Sequence, residues 1–197
     1  MKLKNSLTTL LIVVICGAYL IETYLPNLTF GGIGLRENLF LIKNEQFPDG
    51  SLHGFDQHEY WRIFTVALTH AGWLHLGSNM LAFFQLGNNI ERYFGKARYA
   101  IILLISLASA SLISLYFAAP NIPSVGASGM IFGLFGAILV TSRKMGADYK
   151  EVLGLVVLNL ALTFVIPNID WHAHVGGLVG GALAAWGINL LAPRFTR

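Results

Sequence analysis

Residues 123–137 read PSVGASGMIFGLFGA. Proline breaks the chain at Pro123, small residues run from Gly126 to Gly129, and an apolar helix is predicted from Ser128. Arg143 ends the apolar run, so the helix covers 128–142, fifteen residues. At about 1.5 Å per residue it reaches roughly 22 Å, short of the roughly 30 Å of bilayer hydrocarbon. Ser128 is therefore expected several Å below the outer surface, at a helix N-terminus. Unpaired N–H groups and the positive dipole end gather there, suited to a developing oxyanion. A serine in such a helix also commonly bonds its own i−4 carbonyl or packs against a neighbour. The irregular NIPSVGA before it is tolerated at that depth only if it lines a cavity or is buried in protein. A water-filled recess is the expectation.

The rest of the chain has the composition of a lipid-dissolved protein. Of 197 residues, 55% are hydrophobic and 12% charged, and mean hydropathy is +0.62; an average soluble domain is about 25% charged. A polytopic membrane protein is expected, one domain over 1–197 with no soluble appendage. Cys16 is the single cysteine, so no intramolecular disulfide can form. The N-terminal MKLKNSLTTLLIVVICGAYLIETYLP starts like a signal peptide, but its apolar run reaches about Leu25 and no small-x-small site follows. It reads as a retained first span.

Hydropathy divides the chain into spans near 6–25, 70–90, 99–119, 128–142, 152–166 and 174–192. Pro26, Pro120, Pro123, Pro167 and Pro193 punctuate their ends, and Ser6 and Asp170 suit N-caps. Six spans put both termini on one side. With the N-terminus inside, Lys2, Lys4, Arg92, Lys96, Arg98, Arg143, Lys144, Lys150, Arg194 and Arg197 are inner, and Arg36, Lys43 and Arg62 outer. Ten against three accounts for all thirteen basic residues and follows the positive-inside rule. The sequence pI near 9.1 is thus topology, not a nucleic-acid surface. Residues 27 to about 62 form a long outer loop expected to lie in the interface, with Trp61 and Arg62 as anchors and His53 and His58 as solvated loop residues.

Polar residues at membrane depth mark functional candidates. His75 and Asn79, at i and i+4, share a helix face and can both donate hydrogen bonds; His70, nearer the outer end, suits a structural hydrogen bond. His174 shares a face with Gly177 and Gly181. The short helix offers Gly129, Gly133 and Gly136 in return, so close packing of the two brings His174 to Ser128. A serine beside an imidazole base is the arrangement that activates a hydroxyl for acyl transfer. His172 reads as a loop residue, and Glu91 with Arg92 as a structural pair or cap. No acidic residue is placed as a third triad member, Asp170 being explained as an N-cap; Phe132, one turn after Ser128, is placed to pack on the imidazole or simply in the core.

Together these residues resemble the rhomboid family of intramembrane serine proteases. The likeness covers about residues 60–185, in four parts: YWR; HAGWLHLGSNM followed by GNNIERYFG; GASG; and AHVGGLVGG. It implies an all-α, six-helix rhomboid-like bundle with cytoplasmic termini and a long interfacial first loop, here in a minimal form without a seventh helix or soluble domain. It implies Ser128 as nucleophile and His174 as general base and acid, with His75, Asn79 and the backbone around Gly126 and Ser128 stabilising the oxyanion. The implied partners are single-pass transmembrane substrates, entering past the second and fifth helices, and membrane lipids, in a prokaryotic plasma membrane. Loop 167–173 would cover an outward-opening site, and Gly77 and Ser78 are small where some relatives are bulkier. No cofactor, metal or nucleic acid is implied. Two other readings compete: a catalytically silent rhomboid-like protein that binds membrane helices, and a small transporter with the His and Asn groups as its path. A metalloprotease would need an H-E-x-x-H helix, which the sequence lacks.

Overall fold

Thr8 and Glu91 show how the helices are tied together. Ser6 caps the first helix, α1 (Leu7–Tyr24), accepting from the Thr9 N–H at 3.3 Å. The Glu91 carboxylate, from α4 (Trp73–Phe94), finishes the cap. It accepts from the N–H groups of Leu7 and Thr8 (2.8 and 2.9 Å) and from the Ser6 and Thr8 hydroxyls (both 2.8 Å). A negative charge at a helix N-terminus is stabilising. Gly87, one turn earlier, leaves the room: a Cβ there would stand 2.5 Å from Tyr99 Oη and 2.7 Å from Thr8 Cγ2. Gly95, at φ +75°, closes α4 in the left-handed region, and α5 (Lys96–Phe117) starts on the next residue. The cap reading of Glu91 therefore holds, while Arg92 bonds to Asn88 and Asn89 of its own helix.

The computed structural model describes residues 6–30, 32–47, 50–120, 122–166 and 169–191. Among them the order continues through two small antiparallel pairs and two short helices to the long helices. β1 (Thr29–Phe30) pairs with β2 (Ile33–Gly34), Thr29 opposite Gly34; β3 (Glu45–Gln46) pairs with β4 (Leu52–His53), Glu45 opposite His53. α2 (Leu35–Leu39) and α3 (Arg62–Thr65) complete the first loop. After α4 and α5 come α6 (Ser128–Thr141), α7 (Tyr149–Val165) and α8 (Trp171–Leu191). The chain is mostly helical, as expected, with strand confined to two-residue pairs in the loop. Six long helices match the predicted segments within a few residues. α7 begins three residues early because Asp148 caps it, accepting from the Lys150 N–H at 2.7 Å. Pro26, Pro120 and Pro123 fall between helices. Pro167, Pro193, Lys2, Lys4, Arg194 and Arg197 lie outside the described residues.

Among the described residues α1, α5 and α8 are long and apolar enough to cross a membrane by themselves. The other three predicted spans fall short for separate reasons. α4 carries His75, Asn79, Asn88, Asn89, Glu91 and Arg92; α6 has 14 residues and α7 has 17. α6 is buried nearly all round, from Gly129 through Ala137, as a helix at the centre of a bundle is.

The glycines of α8 explain its place. A Cβ at Gly177 or Gly181 would overlap the carbonyl oxygens of Gly129 and Gly133 on α6. A Cβ at Gly176 would stand 2.7 Å from the Ser109 carbonyl oxygen on α5, and one at Gly180 would overlap the Ser109 hydroxyl. The doubled GG pairs thus serve two neighbours, one glycine of each facing α6 and the other α5.

The first loop is a folded unit. Arg62, fully buried, donates through Nε to Glu59 (2.6 Å) and through a terminal nitrogen to the carbonyls of Glu37 (2.5 Å) and Phe40 (2.8 Å). Its expected role as a headgroup anchor is thereby corrected, because the side chain is fully buried and its Nε and one terminal nitrogen bond inside the loop. Trp61 stays half-exposed, with its indole N–H on the Asn38 carbonyl (3.1 Å). His53 is likewise no solvated residue: Nδ1 lies 2.8 Å from Glu59 and Nε2 3.1 Å from Ser51. His58 is exposed, as expected. Burial pushes the Glu59 carboxyl up, but hydrogen bonds from His53, Arg62 and the Gly54 N–H, with the Arg62 charge, outweigh it and hold it below the usual range.

Candidate active site

The segment before α6 is held from both sides by backbone hydrogen bonds. The N–H of Leu41 donates to the Ser124 carbonyl (3.0 Å) and the Ser124 N–H to Leu41 (2.8 Å), while the Gly126 N–H donates to Val66 (3.0 Å). The irregular backbone is thus paired with protein at Ser124 and Gly126. Gly126, at φ +112°, turns the chain into Ala127 and Ser128. A Cβ at Gly126 would stand 2.8 Å from His75 Cε1 and 3.0 Å from His75 Nε2. Gly126 thus sits against His75 as expected, but its own N–H already has a partner, so what it supplies is room and conformation.

Ser128 opens α6, and the first intrahelical bond there is donated by Ile131 to the Ala127 carbonyl, at 3.0 Å. The N–H groups of the preceding helical residues have no carbonyl a turn behind them. The hydroxyl is half-buried and borders a cavity of about 10 Å³, lined among others by Val66, Ser111, Ser124 and Gly129. That is room for about one water, beside the residue where the sequence led us to expect a water-filled recess.

Ser128 and His174 meet: Oγ lies 2.8 Å from Nε2. His174 is buried in the first turn of α8, not at its first residue, and its ring stacks on Phe132 with centroids 4.1 Å apart and planes at 15°. The packing role for Phe132 is the one found. With Nε2 accepting from the hydroxyl, Nδ1 carries the proton, and Nδ1 is buried without a hydrogen-bond partner. Among the described residues no carboxylate completes a triad through it. Asp170 caps α8 as expected, accepting from the Ala173 N–H at 3.1 Å.

His75 lies across Gly126 from this pair. Its Nδ1 accepts from the Ala71 N–H (3.3 Å), which assigns the remaining proton to Nε2, the nitrogen facing Gly126. Asn79 is buried and donates one amide hydrogen to the His75 carbonyl (2.9 Å), a bond along its own helix, leaving a second. His70 is fully buried, its ring centroid 5.1 Å from that of His75 and its Nε2 3.5 Å from the Ala127 N–H, so the structural role expected of it stands. His172 departs from expectation. It is the second residue of α8, stacked on Trp171 with centroids 3.8 Å apart, because Asp170 starts the helix earlier than predicted. Of the loop expected to cover the site, residues 167 and 168 lie outside the described residues.

These elements now stand beside what is known of similar chains. Residues 57–190 match the rhomboid domain. The chain belongs to the rhomboid family. It is 37% identical over 139 residues to rhomboid protease GluP of Bacillus subtilis, 68% of this chain and 27% of that protein. It is 35% identical over 147 residues to RHOMBOID-like protein 1 of Arabidopsis thaliana, 71% of this chain and 37% of that one. RHOMBOID-like protein 6, mitochondrial, of the same plant is 37% identical over 172 residues, 81% and 55%. The chain thus spans less than two thirds of the length of these rhomboid relatives. Family and apolar helices together make it an integral membrane protein. Among the described residues no group of histidine, cysteine, aspartate and glutamate is arranged to hold a metal.

Four contributors escaped the sequence reading. Ser114 reaches Asp170, Glu59 anchors Arg62, and Val66 and Leu41 supply backbone partners to the segment before Ser128. Only Glu59 left a trace, as an acidic residue three positions before Arg62. Backbone pairing between the first loop and residues 124–126 leaves none.

Proposed function

We propose that this chain is an intramembrane serine endopeptidase that cuts transmembrane segments of membrane proteins with a Ser128–His174 dyad. The observation that carries the reading is the 2.8 Å hydrogen bond between a serine at a helix N-terminus and a buried imidazole. His174 Nε2 takes the hydroxyl proton as Ser128 Oγ attacks the scissile carbonyl. The negative oxygen that forms is met by His75 Nε2–H, the free amide hydrogen of Asn79 and the N–H groups opening α6, an oxyanion hole of fixed donors. Imidazolium then returns the proton to the leaving amine, and water, activated by the same nitrogen, releases the acyl group.

The domain is read as one unit over 1–197, with α1, α4, α5, α6, α7 and α8 as six spans, cytoplasmic termini and a site opening outward. Its partners are single-pass transmembrane proteins and lipids, and its home is a prokaryotic plasma membrane. The silent, helix-binding alternative is less favoured because the pair is present and in contact. A test is cleavage of a transmembrane substrate in proteoliposomes. The wild type is expected to cut, with Ser128→Ala and His174→Ala both inactive though folded. Equal cleavage by Ser128→Ala, or none by the wild type on a panel of substrates, contradicts the reading.

A further inference from the structure

Two hydrogen bonds converge on a carboxylate that the proposed chemistry does not use. Ser114 Oγ on α5 donates to Asp170 Oδ2 at 2.5 Å, and the Ala173 N–H donates to Asp170 Oδ1 at 3.1 Å. The backbone N–H of His174 reaches the Asp170 carbonyl at 3.3 Å. His172 does not compete for the side chain: its Nδ1 stands 3.6 Å from Oδ1, beyond hydrogen-bond range, with its ring on Trp171. Asp170 is thus a helix cap that is itself fastened to another helix.

That fastening bears on His174. An imidazole that serves a serine is ordinarily oriented by a third group bonded to its far nitrogen. Here that nitrogen has no partner among the described residues. The ring is placed by the Phe132 stack on one side and by the backbone of the first turn of α8 on the other. A cap alone fixes the shape of that turn. A cap tied to α5 also fixes where the turn sits relative to Ser128.

We infer that Asp170, held by Ser114, is a positioning residue for His174, acting through the first turn of α8 and not through the imidazole. This rests on the reading of Ser128 and His174 as nucleophile and base. The test uses the full chain in proteoliposomes, measuring kcat and KM on a transmembrane substrate, the rate of Ser128 labelling by a fluorophosphonate, and the thermal midpoint. Asp170→Ala is expected to lower kcat and the labelling rate by about ten- to a hundredfold, the range a misplacement of about 1 Å produces, with KM unchanged. Ser114→Ala should show a similar loss, the double variant no greater one, and Asp170→Asn, which keeps the cap through its one oxygen and can donate its amide to the Ser114 hydroxyl, most of the wild-type rate. Wild-type rates in Asp170→Ala and Ser114→Ala overturn the inference. So do additive losses in the double variant, or losses that only follow a fallen thermal midpoint and that asparagine does not rescue. If the wild type itself is not labelled, the protease reading fails and takes this with it; labelling of the wild type with unaffected variants removes the positioning role alone.

Discussion

At Ser128 the proposed chemistry draws on residues beyond the Ser128–His174 pair. Phe132 stacks on His174, one turn along the same helix that carries the serine. An aromatic stack contributes about 0.5–1.5 kcal/mol beyond burial. Phe132→Leu, which keeps an apolar side chain there, should therefore slow Ser128 acylation roughly two- to tenfold with little change in KM. An unchanged rate would show the ring to be mere filling. The meeting of Ser128 with His174 was legible in the sequence, from a serine at the start of a short apolar helix and matching glycines on the two helices, whereas Gly126 was singled out by the resemblance alone. The partner of the Gly126 amide was not legible, because the Val66 carbonyl is a backbone group some sixty residues away that no side-chain pattern marks.

Among the elements, the contact of α6 with α8 decides whether the pair forms. Small-residue stripes let membrane helices approach closely, and Gly177 and Gly181 press on the carbonyls of Gly129 and Gly133. Gly177→Ala must push the helices apart or shift one along the other, and either move separates His174 from Ser128. Activity is expected to fall by at least tenfold, a separation of about 1 Å being enough, and the thermal midpoint to drop. Gly187→Ala, on the same helix with nothing within 4 Å of the new Cβ, is expected to be neutral or stabilising by about 0.5–1 kcal/mol. Thermal midpoints of the two variants in detergent check both, and equal effects would refute the packing account. The six long helices were readable from hydropathy. Their ends were legible only in part. α6 starts at Ser128 and Ser6 caps α1 as read. Asp148, however, starts α7 earlier than the apolar pattern indicates, and Asp170, although read as a cap, starts α8 before the predicted span.

Across the whole molecule, the first loop is a brace built on buried charge. Composition could not reveal this, because a loop rich in charge reads the same whether its ions face water or one another. Glu59 holds Arg62, His53 and the Gly54 N–H together, and its carboxyl lies below its ordinary value of 4.5. A group depressed in the folded state contributes stability that is fully present above its unfolded pKa and lost as pH falls through the folded one. Protease resistance of the loop should hold at and above neutral pH, begin to weaken near 4.5 and fall further below it. Glu59→Gln should be weaker at neutral pH and flatter across the acid range. An identical acid profile in Glu59→Gln would place the sensitivity elsewhere.

The central claim, that Ser128 is a nucleophile activated by His174, has a direct measurement. The purified protein in detergent is treated with a fluorophosphonate and the adduct located by mass spectrometry. The account predicts a single adduct on Ser128, forming far more slowly in His174→Ala at the same thermal midpoint. No adduct on Ser128, or one that forms as fast without His174, contradicts it.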